Sequence, residues 1–439
     1  MENELTLSVT DLDINGYGIA HSGDQTYFIE NALPQEEIIA IPLYKRNKII
    51  YCKNKKILKE SDLRTNPLCK YYFTCGGCNM QHLVYEETLK FKQNLVKNTF
   101  KKVAGIDISV LPCESSKGYF YRNKMAMPVR SKNGVAKLCM CKKNSHDPAF
   151  IDHCLIQNEK FEKLILIVND FLSENNVKAY NEKTFKGDLK FVVARIVENN
   201  LLLTFVVTKK LNANFEKLYS SLTKIFTEVS LSYNINTLKN NVILTDNLIN
   251  IYGKNYISIN QMGFNFKIDN LSFLQINEEI QSKIYLDILK EVENNVVVNA
   301  YSGAGLLSAI VSKAAKFVYG LEIVQSASKS ADKLKKENNI NNMQNICGDA
   351  GLELEKLSKK LDQYTLIVDP PRKGLSEDML NAIFKSLPQK IIYVSCNPIS
   401  LAKNINVLKE KYAISSVKPF DMFPQTTNVE TLVVLNRIN

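Results

Sequence analysis

The alternation of short apolar segments with helical segments, from about residue 272 onward, constrains the fold of this chain more than any other feature. The predicted strands are residues 296–300, 317–321, 366–369, 391–395 and 431–435. The predicted helices are residues 306–313, 327–338, 377–385 and 401–409. This order predicts an α/β fold with a Rossmann-like, doubly wound sheet, and such sheets bind their ligands at the carboxyl ends of the strands.

The first 260 residues lack this alternation of strands and helices, and we predict that they form two further domains. Residues 1–60 are expected to form an OB-like β-barrel, because short strand candidates are separated by glycine and proline turns. Those strand candidates are residues 5–9, 25–29 and 37–42. Residues 61–260 predict a small α+β central domain, with a helix at 88–102 and a hairpin at 190–208. Residues 261–439 form the third domain, on which the segment 88–115 is a candidate to pack.

The net charge of +11 is concentrated in two stretches. Residues 45–59 carry seven basic and no acidic side chains, and residues 88–143 carry 13 basic side chains against Asp107 and Glu114. Such stretches favour a polyphosphate partner such as RNA. An ordinary solvated, lysine-rich surface is the alternative interpretation.

No run of about 18 apolar residues occurs, so neither a membrane span nor a membrane partner is expected. The first residues include no signal-peptide hydrophobic segment, and we therefore expect a cytoplasmic protein, acting as a monomer. In that compartment the ten cysteines favour metal binding or catalysis over a disulfide framework.

Two reactive side chains stand at the ends of predicted strands near the C-terminus. Cys396 ends the apolar segment 391–395 and is followed by a turn signal, Asn397 and Pro398. Glu430 directly precedes the apolar segment 431–435. A thiol nucleophile and a carboxylate base in these places predict covalent catalysis. A small buried cysteine and a surface carboxylate are the alternatives.

A Gly-x-Gly turn at Gly303 and Gly305 follows the strand 296–300. Glycines let the backbone approach a ligand closely, although such turns are often only structural. The third glycine of the dinucleotide pattern is absent, which disfavours NAD. Glu322 ends the next strand, where a carboxylate can accept hydrogen bonds from ribose hydroxyls. We therefore predict an adenosine-type cofactor at this edge.

Asp369 follows another apolar strand and begins the run Asp369-Pro370-Pro371-Arg372. The two prolines stiffen the loop, so that Asp369 is placed to face both cofactor and substrate. Arg372 stands where amino-methylating enzymes have an aromatic residue that stacks on a base. This difference argues against methylation of an exocyclic nitrogen.

Three cysteines, Cys69, Cys75 and Cys78, lie close together in the sequence and predict a metal site with a distant fourth ligand. The candidates for that ligand are Cys113, Cys139, Cys141 and Cys154. Zinc knuckles usually pair two thiols with two, so the three-plus-one pattern favours a [4Fe-4S] cluster of structural role. Unligated thiols in a turn-rich loop are the alternative.

Taken together, these segments resemble the RNA uracil-5-methyltransferase family, and in particular its iron–sulfur branch, the 23S rRNA (uracil-5-)-methyltransferase RumA type. The resemblance covers nearly the whole chain. Residues 16–20 and 32–34 resemble a TRAM domain, and Cys69 to Cys78 with Gln81 and His82 resembles the cluster loop of the family. Further similar segments are residues 121–124, 151–154, 273–277 and 421–426.

The resemblance implies a role for each candidate residue. It implies S-adenosylmethionine contacts for Gln275, Tyr301, Glu322 and Asp369, with Asp349 as a further candidate, and [4Fe-4S] ligands at Cys69, Cys75, Cys78 and Cys154. Cys396 would add to carbon 6 of uracil, which makes carbon 5 nucleophilic toward a methyl group. Glu430 would then remove the carbon 5 proton.

Three residues depart from the usual family pattern. Asn299 stands where family members usually have Asp, Ser302 where they have Cys, and Asn428 where they have His. The first two changes bear on cofactor affinity, and Asn428 bears on the loop that carries Glu430.

The sequence thus predicts an S-adenosylmethionine-dependent methyltransferase that forms 5-methyluridine in structured RNA, with 23S rRNA favoured. A tRNA uracil-5-methyltransferase is the first alternative, because nothing local in the sequence excludes it. A non-catalytic RNA-binding or assembly factor is the second, and only the departures from the family pattern favour it.

Overall fold

The N-terminal strands close into a barrel, and the first of them alternates buried and exposed side chains, as in Leu7 and Val9 against Ser8 and Thr10. The computed structural model describes residues 4–292 and 294–438, and every element named below lies within those ranges. The barrel strands are β1 (Leu5–Leu12), β2 (Gly18–Ser22), β3 (Gln25–Ile29), β4 (Glu37–Arg46) and β5 (Ile49–Lys59). They pair in the order β1-β2-β3-β5-β4, which confirms the predicted barrel.

A cysteine-bearing loop leads from the barrel into helix α1 (Tyr85–Thr99), which continues into a π-helical turn, Phe100–Ala104. The predicted helix at 88–102 is therefore present but begins and ends differently. Val96 and Phe100 are fully buried in one core with Leu401 and Ile405, so this helix packs on the C-terminal part of the chain.

The central region is built on a six-stranded sheet in the order β13-β12-β11-β10-β6-β7. Its strands are β6 (Lys124–Lys132), β7 (Val135–Leu138), β10 (Leu189–Val197), β11 (Asn200–Val207), β12 (Val229–Ile235) and β13 (Leu248–Tyr252). β10 and β11 form the predicted hairpin. Helices α2 (Lys160–Glu174) and α3 (Phe215–Leu222) bury their apolar side chains in the same core.

Two small ladders accompany this sheet. β8 (Met140–Cys141) pairs with β9 (Pro148–Ala149) beside the cysteine-bearing loop. The hairpin of β14 (Ile257–Gln261) and β15 (Phe264–Ile268) shares a core with Leu306 and Ile310, and so links the central region to the C-terminal sheet.

The C-terminal region is a seven-stranded sheet in the order β18-β17-β16-β19-β20-β22-β21. Its strands are β16 (Val296–Ala300), β17 (Phe317–Glu322), β18 (Met343–Cys347), β19 (Thr365–Val368), β20 (Lys390–Ser395), β21 (Tyr412–Phe420) and β22 (Glu430–Arg437). The helices are α4 (Glu278–Glu291), α5 (Leu306–Val311), α6 (Gln325–Glu337), α7 (Ala350–Ser358), α8 (Glu377–Ser386) and α9 (Pro398–Leu408). The doubly wound α/β sheet predicted from the sequence is thus confirmed.

Strand order and direction place the functional edge of this sheet. β16 pairs in parallel with β17 on one side and with β19 on the other, so the chain reverses its direction of winding at β16. A crevice opens at such a switch point, outside the carboxyl ends of the strands. β22 runs antiparallel to β20, so its first residue lies at the same edge. In the described residues, no helix is long and apolar enough to cross a membrane.

Candidate active site

Cys396 and Glu430 lie near each other at the carboxyl edge of the sheet. In the antiparallel ladder of β20 and β22, Ser395 pairs with Thr431, and the same register continued by one residue places Cys396 opposite Glu430. Cys396 is half-buried, whereas Glu430 is only 3% exposed. The structure therefore brings the predicted nucleophile and the predicted base together.

The turn after Cys396 is held by hydrogen bonds to the loop after Asp369. Asn397 caps α9 by accepting from the Ile399 amide at 3.1 Å, and its Nδ2 donates to the Arg372 carbonyl at 2.9 Å. The Ser400 hydroxyl donates to the same carbonyl at 3.0 Å. These bonds fix the position of Arg372 relative to Cys396.

The electrostatics of this edge are set by two carboxyl groups and one guanidinium. Burial, then the charges of Glu430 and Asp369, raise the pKa of the Cys396 thiol, while the nearby Arg372 guanidinium lowers it. Burial and the Asp369 charge raise the pKa of Glu430 well above its usual range, and Arg372 again acts in the opposite direction. Arg372 is therefore the cation that favours the ionised form of both groups.

Tyr301, Glu322 and Asp369 meet at the crevice. Ala300 pairs with Leu321 on one side and with Val368 on the other, so Tyr301 lies between Glu322 and Asp369 at the strand ends. The Glu322 carboxylate accepts hydrogen bonds from the Gly303 amide at 2.9 Å and from the Val324 amide at 2.7 Å. These bonds hold the carboxylate at the crevice.

Gly303 and Gly305 differ in what surrounds them. Both have positive φ, but a Cβ on Gly303 would meet nothing within 4 Å, whereas one on Gly305 would lie 2.6 Å from the Cβ of Ala331. Gly303 therefore leaves open space at the crevice, and Gly305 allows α6 to pack closely. Asn299 is buried and donates to the Ser308 hydroxyl at 2.8 Å.

Gln275 and Asp349 have other surroundings. Gln275 lies just before α4, and its backbone carbonyl accepts from Asn123 Nδ2 at 3.0 Å. Asn277, the cap of α4, donates to the Met422 carbonyl at 3.5 Å, which ties this segment to the loop before Glu430. Asp349 caps α7 by accepting from two backbone amides, of Gly351 at 3.0 Å and Leu352 at 3.1 Å.

We call residues 421–430 the catalytic loop because they lead to the predicted base, Glu430, and a buried ion pair anchors the start of this loop. Lys92 of α1 pairs with Asp421, and both side chains are fully buried. Tyr85 donates to the same carboxylate at 2.7 Å, and Lys92 also donates to the Phe423 carbonyl at 3.2 Å. Sequence reasoning missed this pair, because a lysine within an amphipathic helix is normally solvated.

The cysteine-bearing loop also contacts the catalytic loop. The amides of Asn79 and Met80 both donate to the Gln425 carbonyl at 3.1 Å, and the Thr427 amide donates to Asn79 Oδ1 at 3.1 Å. In addition, the Tyr121 hydroxyl donates to the Pro424 carbonyl at 3.1 Å.

Cys69, Cys75, Cys78 and Cys154 line one cavity of about 210 Å³. Burial raises the pKa of Cys78 to about 12 and that of Cys154 to about 11. Of the other candidates for a fourth ligand, Cys113 and Cys139 are buried elsewhere and Cys141 lies on β8. Within residues 4–292 and 294–438, no three histidine, cysteine or acidic side chains are close enough to hold a single metal ion.

Gln81 and His82 support this cysteine loop from inside. Gln81 Oε1 accepts from the Cys69 amide at 3.3 Å, and His82 Nδ1 lies 2.6 Å from the Tyr72 hydroxyl. Burial lowers the pKa of His82 to about 3, so this imidazole stays neutral.

Residues 84–438 match the family model described as tRNA (uracil-5-)-methyltransferase. The chain belongs to this family. It is 34% identical to an RNA methyltransferase of Clostridium acetobutylicum, over 100% of this chain and 98% of that protein. It is 35% identical to an RNA methyltransferase of Bacillus cereus, over 98% of this chain and 95% of that protein. The predicted enzyme class, an RNA methyltransferase of the uracil-5 family, is thereby confirmed.

The fold also matches a solved member of this class. Pyrococcus abyssi tRNA (uracil-54, C5)-methyltransferase, solved in complex with S-adenosyl-L-homocysteine, superposes with a TM-score of 0.80 at 24% identity. The match covers 98% of this chain and 100% of that structure. The barrel, the central region and the doubly wound sheet therefore occur together in another protein.

Proposed function

We propose that this chain methylates carbon 5 of uridine in RNA, with Cys396 as the nucleophile and Glu430 as the base. The observation that supports the proposal is the end of the β20–β22 ladder, where Ser395 pairs with Thr431 and the adjoining residues are Cys396 and Glu430. A thiolate and a carboxylate on one ladder can act on carbons 6 and 5 of the same ring, since these two atoms are bonded neighbours.

The chemical steps balance with these two side chains. The Cys396 thiolate forms a bond to carbon 6, and the electron pair of the carbon 5–carbon 6 double bond moves so that carbon 5 becomes nucleophilic. After carbon 5 has gained a methyl group, Glu430 removes its proton. The carbon 6–sulfur bond then breaks, which restores the double bond and the thiolate.

Arg372 and burial set the reactivity of this pair. A carboxylate with a raised pKa is a stronger base, and the low exposure of Glu430 provides that increase. The same burial disfavours the thiolate, and the Arg372 guanidinium offsets this effect on Cys396. The target base would have to leave its stack to reach Cys396, as in other enzymes that act on bases.

The crevice fits S-adenosylmethionine. We propose that Tyr301, Glu322, Asp369 and Gln275 hold it, with the Glu322 carboxylate at the ribose hydroxyls and the open space at Gly303 next to the ligand. When bound there, S-adenosylmethionine supplies an electrophilic methyl group. The family membership and the bound S-adenosyl-L-homocysteine of the Pyrococcus abyssi enzyme support this choice.

Four thiols line the cysteine cavity, and thiolates are the usual ligands of a [4Fe-4S] cluster. We propose Cys69, Cys75, Cys78 and Cys154 as the ligands and a structural role for the cluster, because the same loop donates backbone hydrogen bonds to Gln425 of the catalytic loop.

The favoured substrate is 23S rRNA, bound by a monomer through a TRAM-type barrel and the basic central region. This choice rests on the resemblance of the barrel and cysteine-loop sequences to rRNA enzymes, since the barrel fold itself also occurs in the Pyrococcus abyssi tRNA enzyme. A tRNA substrate is the second candidate, because the matching family model and the Pyrococcus abyssi enzyme are both described by tRNA.

One experiment separates these substrates. Anaerobically purified protein is incubated with labelled S-adenosylmethionine and either unmodified large-subunit rRNA or unmodified tRNA. Label in rRNA would support rRNA as the substrate. Label in tRNA alone would make tRNA the substrate and would leave the proposed mechanism unchanged. Label in neither RNA contradicts the proposed function.

A second experiment separates an enzyme from a binding protein. In RNA that carries 5-fluorouridine, carbon 5 holds fluorine instead of a proton. Glu430 then has no proton to remove, so elimination cannot occur and the carbon 6–sulfur bond persists. We expect a covalent complex that survives denaturation and disappears in Cys396→Ala. A Cys396→Ala variant with undiminished methyl transfer would refute the covalent mechanism.

A further inference from the structure

A polar groove of about 470 Å³, here called the barrel groove, runs between the barrel, the cysteine loop and the catalytic loop. Tyr44, Arg46 and Tyr51 line it from the barrel, and Asn428 lines it from the catalytic loop. The proposed methyl transfer uses none of these four side chains.

The barrel side of the groove is an aromatic platform. Tyr44 and Tyr51 are register partners on β4 and β5, and their rings stack at 4.8 Å between centroids with an angle of 14°. Tyr17 and Phe28 pack edge-on against Tyr51 at 5.7 and 5.6 Å. Because Tyr44 remains 54% exposed, a braced aromatic ring is available to the groove.

Positive and amide groups surround this platform. Arg46 lines the groove from the barrel, and Lys143 lines it from the central region, where Asn31 Oδ1 accepts from its ammonium at 3.1 Å. Asn144 Nδ2 donates to the Tyr17 hydroxyl at 3.2 Å, and Glu30 is an acidic residue in the lining. Aromatic rings that stack on bases, with cations that hold phosphates, are the elements of single-strand RNA recognition.

The groove reaches the proposed catalytic centre. Thr426 and Asn428 line it, and Glu430 follows Asn428 by two residues. An extended chain spans at most about 3.3–3.6 Å per residue, so Asn428 lies within roughly 7 Å of Glu430 along the backbone. A strand whose target base is at Cys396 can therefore place a neighbouring nucleotide in the groove.

Resting on the proposed function, we propose that the barrel groove binds an unstacked nucleotide that flanks the target uridine. Its base stacks on Tyr44, and its phosphate lies between Arg46 and Lys143. This contact positions the strand and does not take part in the chemistry, so its loss acts on RNA affinity more than on the turnover rate.

The test uses a short single-stranded RNA with one central uridine, and each nucleotide that flanks this uridine is replaced in turn by the fluorescent base 2-aminopurine. We expect the wild-type protein to quench the fluorescence at one flanking position. Tyr44→Ala should abolish that quenching and weaken RNA binding by roughly tenfold, as expected for the loss of one base–aromatic stack. Tyr44→Phe should retain both properties.

The matched control is Phe185→Ala, since Phe185 is likewise about half exposed, at 51%, but is not among the residues that line the groove. This variant should bind RNA like the wild type. If Tyr44→Ala left RNA affinity and quenching unchanged, the proposal would be overturned. The groove would then be a candidate site for a protein partner. RNA binding is measured without methyl transfer, so the binding result can be interpreted even if the methylation assay fails.

Discussion

Replacing Lys92 by methionine tests whether a buried ion pair holds the catalytic loop in place. The substitution keeps an apolar stem of similar length but leaves the Asp421 carboxylate buried without its cation. Breaking a buried pair from one side typically costs about 3–5 kcal/mol. We expect the lower end of that range, because the Tyr85 hydroxyl still donates to the carboxylate.

The double variant Lys92→Met/Asp421→Asn provides the control. It removes both charges while an amide oxygen remains as an acceptor for Tyr85, so it should be more stable than Lys92→Met alone. We expect the two substitutions to be coupled by about 2 kcal/mol, as contacting residues commonly are. Additive effects would show that the pair does not act as a unit.

The assay is urea unfolding followed by far-UV circular dichroism, because the chain contains no tryptophan for fluorescence. Methyl transfer is measured in parallel, below the unfolding transition of each variant. Lys92→Met should lower the turnover rate because the loop that carries Glu430 loses its anchor at Asp421 and Phe423. A destabilisation below about 1 kcal/mol, within the range of an ordinary surface pair, would refute the reasoning.

Four further predictions concern the site and the glycine turn beside it. Glu430→Gln should accumulate methylated RNA bound to Cys396, seen on a denaturing gel, because the carbon 5 proton stays in place; free methylated product would exclude Glu430 as the base. Methyl transfer should rise with pH through the neutral and alkaline range, since the pKa values of Cys396 and Glu430 are both raised. Arg372→Gln should shift that rise to higher pH, whereas Arg372→Lys should shift it less; identical profiles would contradict a role for the charge. Gly305→Ala should lower the melting temperature more than Gly303→Ala, because both pay about 1–2 kcal/mol for left-handed backbone but only Gly305 meets Ala331.

Much of the C-terminal sheet could be predicted because its central strands are continuous apolar runs. β16 begins and ends at the predicted residues, and β17, β19, β20 and β22 differ by one or two. The edge strands β18 and β21 were missed, since each is only partly buried and mixes polar with apolar side chains. Helix α7 was missed as well, although Asp349 supplies a cap.

The sequence predicted the individual residues of the candidate site but not their arrangement in space. The sequence marks Cys396 and Glu430 as strand ends, but their pairing depends on β22 lying antiparallel between β20 and β21. Strand direction and order are properties of the assembled sheet. For the same reason, no local pattern could join Lys92 to Asp421, which are far apart in the chain and meet only when α1 packs on the sheet.

The catalytic loop is where the parts of this protein meet. Helix α1 holds Asp421, the central region holds Pro424 through Tyr121, and the cysteine loop holds Gln425 through the Asn79 amide. Asn79 also donates to the Asn15 carbonyl of the barrel at 2.8 Å. A displacement of the barrel or the cysteine loop therefore changes the backbone that leads to Glu430. In this arrangement the surfaces proposed to bind RNA also determine the position of the proposed base, so RNA affinity and turnover should respond together to changes at Asn79.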